Sequence, residues 1–276
     1  MGEIRIGCSG WQYRHWNRTF YPREVPSSGQ LSFYAHHFDT VEVNSTFYRL
    51  PKREAVERWL QQVPDDFVFT VKGSKFITQN KKLRDFGEHA PLLYERIEPL
   101  LGTRHMGPVL WQLPEGWKRD HGRLVDALEQ LPPGRHAFEF REASWFVDAT
   151  YEALAEHDVA FVIGDHVERR YQTRLLTTDW TFVRFHYGSE LGTGAYSDRE
   201  LDDYAAWLDS IRDEADAFVY FNNDWDCYAL HEAAALRDRL GLRPDLERPH
   251  TISAEEAAKP APRRRTAARS PDTTST

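Results

Sequence analysis

Cysteine is scarce in this chain. Cys8 and Cys227 are the two present among 276 residues. Two thiols cannot build a disulfide framework or a cysteine-rich zinc module, and buried, inert thiols in a reducing, cytoplasmic compartment fit the count. Long apolar runs are missing as well. No stretch approaches the ~18 residues of a membrane helix, and mean hydropathy is -0.65. The opening MGEIRIGCSG enters a strand-like segment at once, without the basic start and apolar stretch of a signal peptide. No glycine-rich dinucleotide fingerprint follows a strand, no HExxH motif occurs, and no repeat has a period of about 20–50 residues.

What is present suffices for a folded body. The chain is 41% hydrophobic and 28% charged, which excludes a wholly disordered protein. The net charge of -8 is unevenly spread. Residues 259–276 carry Lys259, Arg263, Arg264, Arg265 and Arg269 against Asp272, a net +4, which leaves -12 on the rest. An acidic body disfavours bulk electrostatic binding of duplex nucleic acid. The tail, KPAPRRRTAARSPDTTST, has no apolar periodicity to offset its ordering entropy. The expected organisation is one domain over residues 1–245 and an extension over 246–276, disordered from about Lys259.

Eight short β-branched or aromatic runs predict strands: Ile4–Cys8, Thr40–Asn44, Phe67–Lys72, Val109–Leu113, His136–Phe140, Ala160–Ile163, Phe182–His186 and Val219–Phe221. Amphipathic stretches between them predict helices over Leu31–Phe38, Lys52–Gln62, Leu92–Leu100, Arg123–Leu131, Val147–His157, Arg199–Asp216 and Cys227–Leu240. Gly164–Trp180 reads as a loop with a short helix. Repeated strand-then-helix alternation means parallel strands with crossovers, and the count favours a single TIM-like (β/α)8 barrel over an open α/β sheet.

A barrel carries its chemistry at the C-terminal ends of its strands. Those ends present Trp11, Tyr13, Glu42, Asn44, Lys72, Gln112, Glu139, Arg141, Trp145, Asp165, Arg184, His186, Asn222, Asn223 and Asp224. Period-two alternation pairs Glu42 with Asn44, Glu139 with Arg141 and Arg184 with His186, each pair opposite an apolar face. Helices cover the outside of a parallel barrel, so these polar faces are expected inside its mouth.

Seven segments in order, IGCSGWQYRHWNRTFYP, FDTVEVNSTFYRLP, FVFTVKGSKFIT, GPVLWQLPEGW, FEFREASWF, FVRFHYGSE and YFNNDWDCYA, resemble the domain of unknown function 72 family, the YecE-like proteins. The resemblance runs from Ile4 to about Leu240. It implies a TIM barrel with a polar pocket at the strand C-termini, and no activity. Where family members often read Thr-His after the third-strand lysine, this chain has Thr78-Gln79.

Each candidate has a plainer alternative. Glu139 and Arg141 serve either as substrate contacts or as an ion pair closing the barrel. Glu42 and Glu139 are two carboxylates able to act as acid and base, with His186 as another proton carrier. Lys72 is a fixed charge for an anion, an ion-pair partner of Glu42, or a Schiff-base lysine if desolvated. No cofactor is required. A divalent metal on Glu139, Asp165, His186 and Asp224 has less support, because Lys72, Arg141 and Arg184 would oppose it. Histidines away from strand ends, His15 and His37 among them, read as surface residues. Trp11, Tyr13, Trp16, Phe20 and Tyr21 crowd one loop, and Trp145 and Trp225 flank other strand ends. They suit stacking on a sugar or base, or simple loop packing.

The sequence therefore predicts an enzyme of acid–base chemistry, hydrolysis included, acting on a small polar, anionic ligand. Lys72, Arg141 and Arg184 would hold the anion, and Asn44, Gln112, Asn222 and Asn223 would orient the substrate. The rival is a non-catalytic nucleotide or nucleic-acid binding module using the aromatic loop and basic tail. No membrane partner is expected, and the sequence does not specify an oligomeric state.

Overall fold

A computed structural model describes residues 2–169, 171–190 and 193–250. The extension from residue 251 onward, including the expected disordered tail, lies outside the described residues. Strands β1 (Ile4–Cys8), β2 (Thr40–Val43), β3 (Val68–Lys72), β4 (Met106–Gln112), β5 (His136–Glu139), β6 (Val159–His166), β7 (Trp180–Tyr187) and β8 (Asp216–Phe221) form in the predicted order. All pair in parallel, and β8 returns to β1 through Ile4–Ala217 to Cys8–Phe221, closing an eight-stranded barrel. Closure leaves no sheet edge.

Helices α1 (Gln30–Tyr34), α2 (Ser45–Tyr48), α3 (Arg53–Leu60), α4 (Phe86–Arg96), α5 (His121–Leu128), α6 (Asp148–Glu156), α7 (Asp198–Ile211) and α8 (Tyr228–Arg239) connect them. A capping box starts α7: Ser197 Oγ accepts from Glu200 N, and the Glu200 carboxylate accepts from Ser197 N. Three expectations are corrected. Helix α4 begins at Phe86, not Leu92, and runs through Pro91. The predicted Arg199–Asp216 helix stops at Ile211, and Asp216 opens β8 instead. The described residues between β6 and β7 hold no helix. They run back along β6, pinned where Thr177 Oγ1 donates to Val159 O and accepts from Phe161 N.

The strand period of two sorts side chains into two cores. Val41, Val43, Phe69, Val71, Phe138, Val183 and Phe221 face the helices. Val68, Leu110, Ala137, Ala160, Val162, Trp180, Phe182, Phe218 and Tyr220 fill the barrel interior. Above this apolar plug, Tyr220 Oη meets Thr40 Oγ1 at 2.7 Å and Thr70 Oγ1 at 2.8 Å. The interior therefore turns polar toward the strand C-termini. The next inward positions on β2, β5 and β7 are Glu42, Glu139 and Arg184.

Candidate functional site

Arg184 lies at the centre of the barrel and is completely buried. Its Nε and Nη2 donate to Glu42 Oε2 and Oε1 at 2.8 and 2.7 Å. Its Nη1 donates to Gln112 Oε1 at 3.0 Å and to Glu139 Oε2 at 2.5 Å. Four strands are thus tied across the lumen by one guanidinium. Burial alone would lower the Arg184 pKa, but Glu42 and Glu139 outweigh it and raise it further. The expectation that Arg184 holds a ligand anion is corrected: its charge is spent on two carboxylates inside the protein.

Glu139 is equally committed. Its Oε1 accepts from Arg141 Nε at 2.7 Å and lies 2.9 Å from His186 Nε2. Burial would raise its pKa, yet Arg141, Arg184 and His186 hold the carboxyl well below its usual range. Glu139 therefore stays ionised near neutral pH. Burial outweighs the pull of Glu139 on His186 and lowers the imidazole to about 3, so the ring is neutral. A neutral ring facing a carboxylate must donate from Nε2. Its Nδ1 then accepts from Asn222 Nδ2 at 3.2 Å, which fixes the tautomer. Arg141 reaches outward from this cluster. Its Nη1 lies 3.6 Å from the exposed Glu115 carboxylate, itself paired with Arg169.

Lys72 stands beside this network without joining it. It ends β3, is 7% exposed, and places Nζ 4.6 Å from the centre of the Phe47 ring. Among the described residues Nζ has no hydrogen bond or close ion pair. The expected pair with Glu42 does not form, because Arg184 occupies both oxygens of that carboxylate. Burial first, and the Arg184 guanidinium second, push the amine down from 10.5 to about 7 against the opposing pull of Glu42 and Glu139. The backbone here is fixed from both sides. Thr46 Oγ1 donates to Lys72 O at 2.6 Å, and a Cβ on Gly73 would lie 2.3 Å from the Trp111 ring.

A cleft of about 470 Å³ opens at the β1, β2 and β8 ends. Trp11, Tyr13, Asn44, Asn222 and Asp224 line it, together with Tyr48 and Trp225. The last two are 78% and 64% exposed. Val43 pairs with Val71, so the following residues Asn44 and Lys72 are neighbours across the strands. Asn44 Nδ2 donates to Ser9 O at 2.9 Å, while Asn44 Oδ1 and Ser9 Oγ are buried with no hydrogen-bond partner. Asp224 accepts from Trp16 Nε1 at 3.0 Å, and His15 Nε2 lies 2.8 Å from its other oxygen, out of line for a hydrogen bond.

Three sequence candidates point elsewhere. Asp165 alternates outward on β6 and accepts from Tyr204 Oη of α7 at 2.5 Å. Asn223 turns outward after Asn222 and donates to Glu232 of α8 at 2.6 Å. Trp145 is fully buried against Phe140 and Trp117, with Nε1 donating to Trp117 O at 2.7 Å. Trp16, Phe20 and Tyr21 are likewise buried in mutual edge and tilted contacts, which makes them loop packing rather than a stacking platform. His37 is buried rather than on the surface, packed on Phe20, whereas His15 is exposed as expected, beside Asp224. With Asp165 outside and Asp224 at the rim, the suggested metal residues do not converge. Among the described residues no three His, Cys, Asp or Glu side chains do.

Sequence reasoning missed Tyr48, Ser45, Gln79 and Glu115 as site residues. Gln79 lies in a π-helical turn, Phe76–Asn80, and donates to Gln112 O at 2.8 Å. It buttresses the strand end whose side chain receives Arg184. The one available signal was its place just after the third-strand lysine.

Comparisons with known proteins agree with this architecture. A DUF72 family protein from Thermotoga maritima superimposes with a TM-score of 0.76 at 28% identity, over 87% of this chain and 99% of that one. A second, from Enterococcus faecalis, gives 0.75 at 21% identity over 88% and 98%, a likeness of fold alone. The UPF0759 protein YunF of Bacillus subtilis is 26% identical over 80% of this chain and 89% of its own. The UPF0759 protein YecE of Escherichia coli K12 is 32% identical over 54% and 52%. Residues 5–257 match the family described as "Protein of unknown function DUF72", and the chain belongs to that family.

Proposed function

We propose that this barrel is an enzyme of acid–base chemistry, acting on a small polar, anionic ligand at its strand C-terminal mouth. The observation that carries the reading is Lys72: a buried amine at the end of β3 with no hydrogen bond or close ion pair among the described residues, pushed down to about 7 by burial and the Arg184 guanidinium. Such a group gives and takes protons under working conditions. Glu42 and Glu139 do not compete for that role, since Arg184 and Arg141 hold their oxygens. Arg141 is the cation that meets a ligand anion: its guanidinium is partly exposed, and the exposed Glu115 carboxylate 3.6 Å from Nη1 would give way to the ligand. Tyr48 and Trp225 supply flat apolar walls, and Asn44 and Asn222 supply amides. We place the protein in a reducing, cytoplasmic compartment, consistent with its two free, buried thiols.

Thermal melting with inorganic phosphate and a panel of phosphorylated sugars and nucleotides tests the reading. A ligand that binds the folded barrel raises its melting temperature by mass action. Arg141→Ala should abolish that response and keep the fold, because Glu139 retains Arg184 as its counter-charge. An undiminished response in Arg141→Ala, or no response to any anion in the wild type, contradicts the proposal. Steep salt dependence lost on deleting the tail would instead favour the nucleic-acid module.

A further inference from the structure

We infer that Lys72 is a nucleophile as well as a proton carrier, and that the ligand of this mouth is an aldehyde or ketone carrying an anionic group. The inference rests on the reading above and deepens it.

A lysine that only balances charge is held by carboxylates, yet the two nearest here are taken by guanidinium groups. Lys72 therefore has its nitrogen lone pair uncommitted. Its chain is buried against Phe47, and its backbone is anchored through Thr46 and packed at Gly73. Amine activation of this kind, by desolvation and neighbouring cations, is what imine-forming lysines require. Two unpartnered buried acceptors, Asn44 Oδ1 and Ser9 Oγ, lie next to the neighbouring strand end. Arg141 supplies the counter-charge for the anionic group.

The reaction balances without an oxidant or reductant. The Nζ lone pair forms a bond to the carbonyl carbon while the carbonyl π bond breaks. A nitrogen proton passes to the oxygen through solvent, giving a carbinolamine. The C–O bond then breaks, the oxygen leaves as water after taking up one more proton, and a protonated imine remains on Lys72. Hydrolysis reverses each step.

Reductive trapping on the full chain tests this. Glyoxylate, glycolaldehyde phosphate and uncharged glycolaldehyde are each incubated with the protein at pH 7.5 with sodium cyanoborohydride, and adducts are mapped by peptide mass spectrometry. Lys72 should be modified first by the two anionic aldehydes. Its rate should exceed that of the exposed Lys52, Lys75 and Lys118 by at least about tenfold. Lys72→Met should lose that adduct and keep surface labelling, and excess inorganic phosphate should slow labelling at Lys72. Labelling spread over surface lysines with Lys72 spared overturns the inference. If phosphate still raises the melting temperature in that case, the acid–base reading stands and only the covalent step falls. If phosphate has no effect either, both fall.

Discussion

Arg184 grips Glu42 with two parallel N–H···O bonds of 2.7 and 2.8 Å in the middle of the barrel, with neither side chain exposed. A bidentate pair this deep, shared with Glu139 through the remaining nitrogen, is a structural device first. It fills the lumen between the apolar plug and the mouth. It also occupies oxygens of both carboxylates and leaves Lys72 beside a fixed positive charge.

Breaking this network on one side should be expensive. Glu139→Gln retains shape but strips the charge facing Arg184 and Arg141, so a buried cation loses part of its compensation. We expect a loss of about 3–5 kcal/mol in urea unfolding, as when one partner of a buried pair is removed. A change of about 1 kcal/mol or less would show that the mouth is wet enough to screen the cluster.

Lys72 should make stability depend on pH in the opposite sense from an ordinary surface lysine. Its folded pKa, about 7, lies below the ordinary 10.5, so the unfolded chain binds the extra proton between those values. Wild-type stability contributed by this site should rise with pH through that window. Below pH 7 the folded state carries the full penalty. Lys72→Met should therefore exceed wild type by a few kcal/mol, at most about 5 from the size of the shift, at pH 6. The advantage should fade toward pH 10. Urea titrations at pH 6, 8 and 10 check this; a constant difference across the series would refute it.

The aromatic walls make a complementary prediction. Tyr48 and Trp225 are mostly exposed, so Tyr48→Ala and Trp225→Ala should each leave stability within about 0.5 kcal/mol. Affinity for any ligand found in the melting panel should fall by roughly tenfold or more for at least one of them, the scale of a lost stacking contact. Isothermal titration with both variants reads this. Equal affinities in wild type and both variants would show that the cleft is not where the ligand sits.

Much of this arrangement was legible in strand alternation. The period of two placed Glu42, Glu139, Arg141, Arg184 and His186 inside the barrel, and they are there. The same rule, carried one step further, excludes Asp165 and Asn223. Asn222 and Asn223 are consecutive, so they cannot share a face, and Asp165 follows inward Gly164 and pairs with outward Phe185. Trp145 escaped the rule because it belongs to a 3-10 turn, where strand parity says nothing. What the chain could not disclose was distance across the lumen. Arg184 lies 142 positions from Glu42, and nothing local records that it spans the gap and takes both oxygens. The isolation of Lys72 follows from that long-range choice, so it too became visible only in three dimensions.

The most direct test of the account is the protonation state of Lys72 itself. Protein labelled with 13C at lysine Cε, titrated by NMR from pH 5 to 11, should show one lysine signal moving with a midpoint near 7, apart from the rest. That signal should be missing from Lys72→Met. Inorganic phosphate should shift its midpoint upward, as an anion beside the amine favours the charged form. If every lysine signal titrates near 10.4, Lys72 is an ordinary solvated ammonium and the proposed chemistry at this mouth is wrong.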